Sequence, residues 1–198
     1  MALTKVTSVT LLGIVSVASN SFAVGSAIDV STYYGADLRI RMGRGTGTAF
    51  TTSPIARVQA TYLTSPTAND WVTVAEFQPA VGATIGSQAV SGTEAAGQTV
   101  VTLAAGTNFA AGDFVFFHNG TIGNSEWCRV NSVSGADLTL QEGLVFAQTG
   151  ATCRDQAEEY HLSLDLTSIQ KIRLVVDANS SGQASIWESA LGAVTALA

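Results

Sequence analysis

The chain keeps returning to one pattern. Short runs in which apolar and polar residues alternate with a period of two are each closed by glycine, asparagine, aspartate or serine. Such runs read as half-buried antiparallel strands, and no segment sustains a helical period, so the expected fold is all-β. In Ala36-Asp-Leu-Arg-Ile-Arg-Met42, Leu38, Ile40 and Met42 fall on one face and Asp37, Arg39 and Arg41 on the other. Ile55–Leu63, Trp71–Phe77, Glu159–Leu166, Ile169–Val176 and a last strand from Ala184 toward Val194 read the same way. Trp71, Thr73, Ala75 and Phe77 are expected on one side of their strand, and Ile172, Leu174 and Val176 inward on theirs.

The stretch Thr99–Phe146 is denser. It offers strands at Thr99–Leu103, Phe114–Phe117, Glu126–Val133, Leu138–Leu140 and Gly143–Phe146, with turn chemistry at Gly112-Asp113, Asn119-Gly120 and Ser134–Asp137. That spacing predicts a compact meander or small barrel. The Ala/Gly/Ser-rich run from Pro79 to Gly97 leads into it, and Gly150–Gln156 leads out. The flanks look incomplete alone, so the expected architecture is an antiparallel, jelly-roll-like β-sandwich with the small module inserted in a loop. Residues 1–83 and 157–198 form the sandwich and residues 84–156 the insert.

At 198 residues the chain can bury one large core or two modest ones. Only 12% of residues are charged, about half the usual share, which suits a chain that packs against copies of itself or a scaffold. The net charge of −6 comes without a basic stripe, which argues against nucleic acid as a partner. Met1–Ala23 has traits of a weak secretory signal, but its apolar patch Leu11–Val17 is short and interrupted. It reads instead as a strand, Val9–Val17, and the segment Val6–Val17 as a candidate to pair with a neighbouring molecule. No stretch approaches a membrane span.

Catalytic signatures are missing. Gly43-Arg-Gly-Thr-Gly47 lacks the strand-to-helix setting and the Lys-Ser/Thr of a phosphate loop, and reads as a surface loop. No nucleophile elbow, paired-histidine zinc motif or dinucleotide pattern occurs. His118 and His161 fall in different segments and read as surface histidines. Cys128 and Cys153 permit one disulfide, from the module's third strand to its exit; free thiols are the competing reading, and neither spacing is a metal signature. No cofactor and no metal is expected, and the chain reads as no enzyme.

Contact residues are therefore the candidates. Arg39 and Arg41 on one strand and Lys171 and Arg173 on another would make a positive face if those strands were neighbours, with Arg44 in the adjoining loop. Phe117, next to Phe116, must face the other way and is expected at the surface, and Tyr33-Tyr34 must place one ring out. These exposed rings also permit a carbohydrate platform.

Several segments together resemble the β-sandwich accessory proteins of tailed-phage virions: Gly25–Ser31, Tyr34–Leu38, Trp71–Phe77 and Ile172–Asn179. Phe109–Phe114 and Arg129–Leu140 resemble the small β-modules that recur in phage structural proteins. The resemblance implies a capsid decoration (cement) protein that binds the major capsid protein or other virion proteins, and copies of itself, through edge-strand pairing. It would be made in the bacterial host cytoplasm and reside in the virion. A neck or tail component, or a carbohydrate- or receptor-binding module of a fibre or adhesin, are the alternatives.

Overall fold

The computed structural model describes residues 4–5, 8–82, 85–106 and 108–195. The fold is antiparallel β throughout, apart from two short 3-10 turns among these residues. Before the insert run β1 (Thr4–Lys5), β2 (Val9–Val17), β3 (Phe22–Val24), β4 (Ile28–Asp29), β5 (Tyr33–Arg44), β6 (Ile55–Thr61) and β7 (Val72–Phe77). Within it run β8 (Ser87–Ala89), β9 (Thr93–Glu94), β10 (Val100–Thr102), β11 (Phe114–His118), β12 (Glu126–Ser134), β13 (Asp137–Leu140), β14 (Gln148–Thr149) and β15 (Thr152–Arg154). β16 (Glu158–Asp165), β17 (Lys171–Asp177) and β18 (Ser185–Thr195) follow.

Early and late strands interleave in two facing sheets. The first has the order β1-β18-β5-β16, with β2 also on β18; the second has the order β3-β17-β6-β7, with β4 also on β17. Between them lies one core, in which Leu38, Ile40 and Met42 meet Val58, Leu174 and Val176 around the buried Trp187. The alternation in β5 and β17 dictates this packing, because from Ala36 to Met42 and along β17 each inward residue is buried and each outward one is not.

β7 departs from strict alternation. Its pairing with β6 slips between Val58–Ala75 and Gln59–Thr73, leaving Val74 as the extra residue of a bulge. A bulge flips the face of everything beyond it. Ala75 and Phe77 therefore pack on the core, while Trp71 turns outward to lie under Arg173, whose guanidinium carbon is 4.1 Å from the ring centre. The single face expected for all four residues is not formed.

The inserted strands make a separate sheet in the order β10-β13-β12-β11-β15-β8. A bridge between Val90 and Leu103 joins its two ends, where Ala104 N donates to Ala89 O and Ser91 N to Thr102 O, both at 2.8 Å. The sheet thus closes into a small barrel whose interior holds Val101, Leu103, Val115, Phe117, Val130 and Leu138. Gly143–Phe146, read from sequence as a strand, is a bend, because the buried Glu126 carboxylate takes the N–H groups of Val145 (2.7 Å) and Phe146 (3.2 Å).

The barrel stands on the outer face of the first sheet. Ile186, the outward neighbour of the core residue Trp187, packs with Ile14 against Phe116 and Trp127 of the barrel. Gly43 makes this seat: a Cβ there would lie 2.5 Å from the Phe116 ring. The glycine that suggested a loop is a flat platform inside β5.

Candidate functional site

β11 explains why its run of apolar residues has no exposed member. One face lines the barrel and the other rests on the sandwich, so Phe117 and Phe116 are both fully buried. Phe117 is a core residue and no contact residue. Arg44 is also corrected. It is 0% exposed, and its guanidinium donates to the carbonyls of Ala80 (2.6 Å), Val81 (3.4 Å) and Gln156 (3.2 Å) while lying over the Phe50 ring. One buried cation therefore ties together the two connections that carry the chain into and out of the barrel.

The four outward cations do not share a face. β5 belongs to one sheet and β17 to the other, so Arg39 and Arg41 point away from Lys171 and Arg173. Arg41 is moreover neutralised, by Glu159 at 2.6 Å and Glu188 at 3.9 Å. Arg173 is bonded to Gln59 and stacked on Trp71, and Lys171 sits opposite Asp29 in the β17–β4 pair. Arg39 lies beside His161 and Ala190 and, among the described residues, makes no ion pair. Charge on this surface is mostly satisfied within the chain.

The cysteines are free thiols. β11 lies between their strands, with Cys128 opposite Val115 and Cys153 opposite Phe117. Two strand spacings, roughly 9 Å, exceed the reach of a disulfide. Burial pushes the Cys128 thiol up to about 12 and raises Cys153 as well, so neither is a reactive thiolate. The N-terminal strand is likewise occupied: β2 pairs with β18, and the backbone of Leu11 lies against Gly25 (Val6 and Thr7 lie outside the described residues).

Three features remain open to a partner. First, β7 and β16 are the free edges of the two sheets on one side of the sandwich, joined by the Phe77–Tyr160 ring contact at 5.0 Å. β7 exposes Val72 and Val74. Second, where the barrel meets the first sheet, two cavities of about 210 Å³ flank Arg41 and share Glu126, Trp127 and Val145. Third, the end of the sandwich away from the barrel exposes Tyr34 (59%), Tyr62 (70%) and Leu63 (48%). Sequence reasoning found Tyr34 by its pairing with Tyr33; it missed Tyr62 and the β7 edge, since Val72 and Val74 read as ordinary strand residues. Among the described residues no group of His, Cys, Asp and Glu is arranged to hold a metal ion.

No protein-family model and no curated protein matches the sequence. Among solved structures, the tailspike gp61 of Pseudomonas phage phi297 is similar over 36% of this chain, at 21% identity and a TM-score of 0.33. The chain spans 14% of that tailspike. VP17, a capsid protein of bacteriophage P23-77, aligns over 99% of this chain and 100% of its own, at 9% identity and a TM-score of 0.20. Both of these loosely similar structures are phage proteins.

Proposed function

We infer that this chain is a structural component of a phage virion, a decoration protein that works by protein–protein contact and carries out no reaction. The observation that carries the reading is the pair of free, adjacent edges β7 and β16. An uncovered edge presents a row of unpaired N–H and C=O groups, and a strand from another chain satisfies them in register. On β7 that edge is flanked by Val72 and Val74, so a docking strand would also bury apolar surface. The Arg41–Glu159 and Arg57–Glu76 ion pairs of the outer faces are already closed within the chain and add little to association. Many weak, repeated contacts of this kind hold a protein on a regular lattice without any one being tight.

The test is quantitative mass spectrometry of purified particles, with wild-type chain and a Val74→Lys variant added back to particles lacking it. The expected result is a fixed, high copy number for the wild type and at least ten-fold lower occupancy for the variant. Absence of the chain from purified particles would overturn the reading.

A further inference from the structure

The corner cavities beside Arg41 are lined by several charges, of which Arg41, Glu126 and Glu159 already have partners. The cavity at the opposite end of the sandwich is different. It has a volume of about 340 Å³, and two loops distant in sequence form it: Ser31, Thr32 and the paired tyrosines on one side, Leu166, Thr167 and Ser168 on the other. Among the described residues no charged side chain lines it. Its floor is the buried Leu166, whose N–H donates to Tyr34 O at 2.9 Å and so staples the two walls together.

Each wall is also fixed by a carboxylate that stands behind it. Asp29 Oδ1 accepts from Ser31 N (3.0 Å) and from the Ser31 hydroxyl (2.7 Å), and Asp165 Oδ1 accepts from Thr167 N at 2.9 Å. The hydroxyls of Thr32, Tyr34 and Ser168 have no partner within the chain among the described residues. Ser168 is held at φ 75°, in the left-handed region. The Tyr34 ring stands 59% exposed at the rim.

We propose that this cavity is a binding site for an uncharged saccharide, with Tyr34 as the ring on which a sugar face stacks and the serine and threonine hydroxyls as its hydrogen-bond partners. The lining excludes the other ligand classes. An anion would find no cation in the cavity, with Asp29 and Asp165 just behind its walls. A cation would find both carboxylates already taken by their own loops. A purely apolar ligand would cover hydroxyls without pairing them, which costs free energy. A sugar has what the cavity lacks: C–H faces for the aromatic ring, and hydroxyls that both donate to and accept from Ser, Thr and Tyr. The volume lies at the small end of the roughly 300–1,000 Å³ of ligand sites, which suits a short saccharide. Tyr62, following the β6 residue Thr61 whose carbonyl accepts from Gln170 N, stands on the same end and extends the aromatic surface.

This site is independent of the particle-contact reading, because it uses side chains of loops beyond the strand ends and not the backbone edge groups of β7 and β16. The test takes the isolated full chain on an array of neutral and anionic oligosaccharides, followed by saturation-transfer NMR with the strongest neutral glycan. Expected are hits among neutral glycans, unaffected by 0.5 M salt. Tyr34→Ala should weaken binding at least ten-fold with an unchanged melting curve. Ser168→Gly, which deletes a hydroxyl at a backbone angle glycine adopts freely, should weaken it a few-fold. Arg39→Ala, on the neighbouring sheet face, should leave it unchanged. An array without neutral hits would overturn the proposal. So would neutral binding indifferent to Tyr34→Ala, or hits restricted to anionic glycans and lost in salt.

Discussion

The two ends of the sandwich solve the same problem in opposite ways. At one end the strand termini and linkers are covered: the barrel sits on Gly43 and Ile186, and Arg44 gathers the carbonyls of both connections. At the other end the loops are braced by short side-chain-to-backbone bonds from Asp29 and Asp165, and tyrosines are left facing water. The difference teaches where each end keeps its free energy. The covered end depends on long-range contacts that are expensive to break, and the open end on local turns that tolerate substitution.

The hardest blow to this contrast comes from Arg44→Ala. It removes a fully buried guanidinium that donates to the carbonyls of Ala80, Val81 and Gln156 and packs over Phe50, and the expected loss is about 3 kcal/mol or more in denaturant unfolding. A loss below about 1 kcal/mol would mean that the covered end does not depend on the cation. Gly43→Val drives a side chain into the Phe116 ring and should cost roughly 1–3 kcal/mol in the same assay. At the open end, Tyr62→Ser should change stability by no more than about 0.5 kcal/mol. A larger effect there would erase the distinction.

Titration separates the ends by sign. Asp155, which exchanges hydrogen bonds with Gly86 in the linker at the covered end, is raised to about 6, chiefly by burial, with Asp113 reinforcing and Arg44 opposing. Its folded value exceeds its unfolded one, so the folded chain holds the extra proton and stability falls as pH rises from about 4 to about 6. Asp155→Asn should flatten that slope. Asp29 and Asp165 at the open end are held below the usual carboxylate range by the Ser31 and Thr167 hydroxyls and N–H groups. Their contribution is present above about pH 4 and is lost as pH falls through their folded values. Replacing them should lower stability above about pH 4 and flatten the fall on the acid side, leaving the slope that Asp155 sets unchanged.

What could be read from the sequence was whatever depends on neighbours along the chain. Leu38-x-Ile40-x-Met42 and Ile172-x-Leu174-x-Val176 declare a buried face by themselves, and so they predicted β5 and β17 correctly. β8, β14 and β15 were invisible, because Ser87-Gln-Ala, Gln148-Thr and Thr152-Cys-Arg carry no alternation and exist as strands only through partners far away. The bulge at Val74 is set by the register of β6, which no single-strand pattern contains. Arg44 was misplaced for a related reason: an arginine beside two glycines looks solvated, and its carbonyl partners lie 36 and 112 residues off. Phe117 followed from a correct inference, that it faces away from Phe116, joined to the false premise that a strand has only one covered face. The saccharide-sized cavity has no local signature, since its halves are separated by most of the chain.

The barrel's first and last strands, β8 and β15, are hydrogen-bonded to each other, Ser87 opposite Arg154. The host fold therefore sees the whole insert through a gap one hairpin wide. A segment attached that way can be lengthened, exchanged or lost in evolution without redirecting a single strand of its carrier, and the same geometry marks where a foreign cargo could be spliced in.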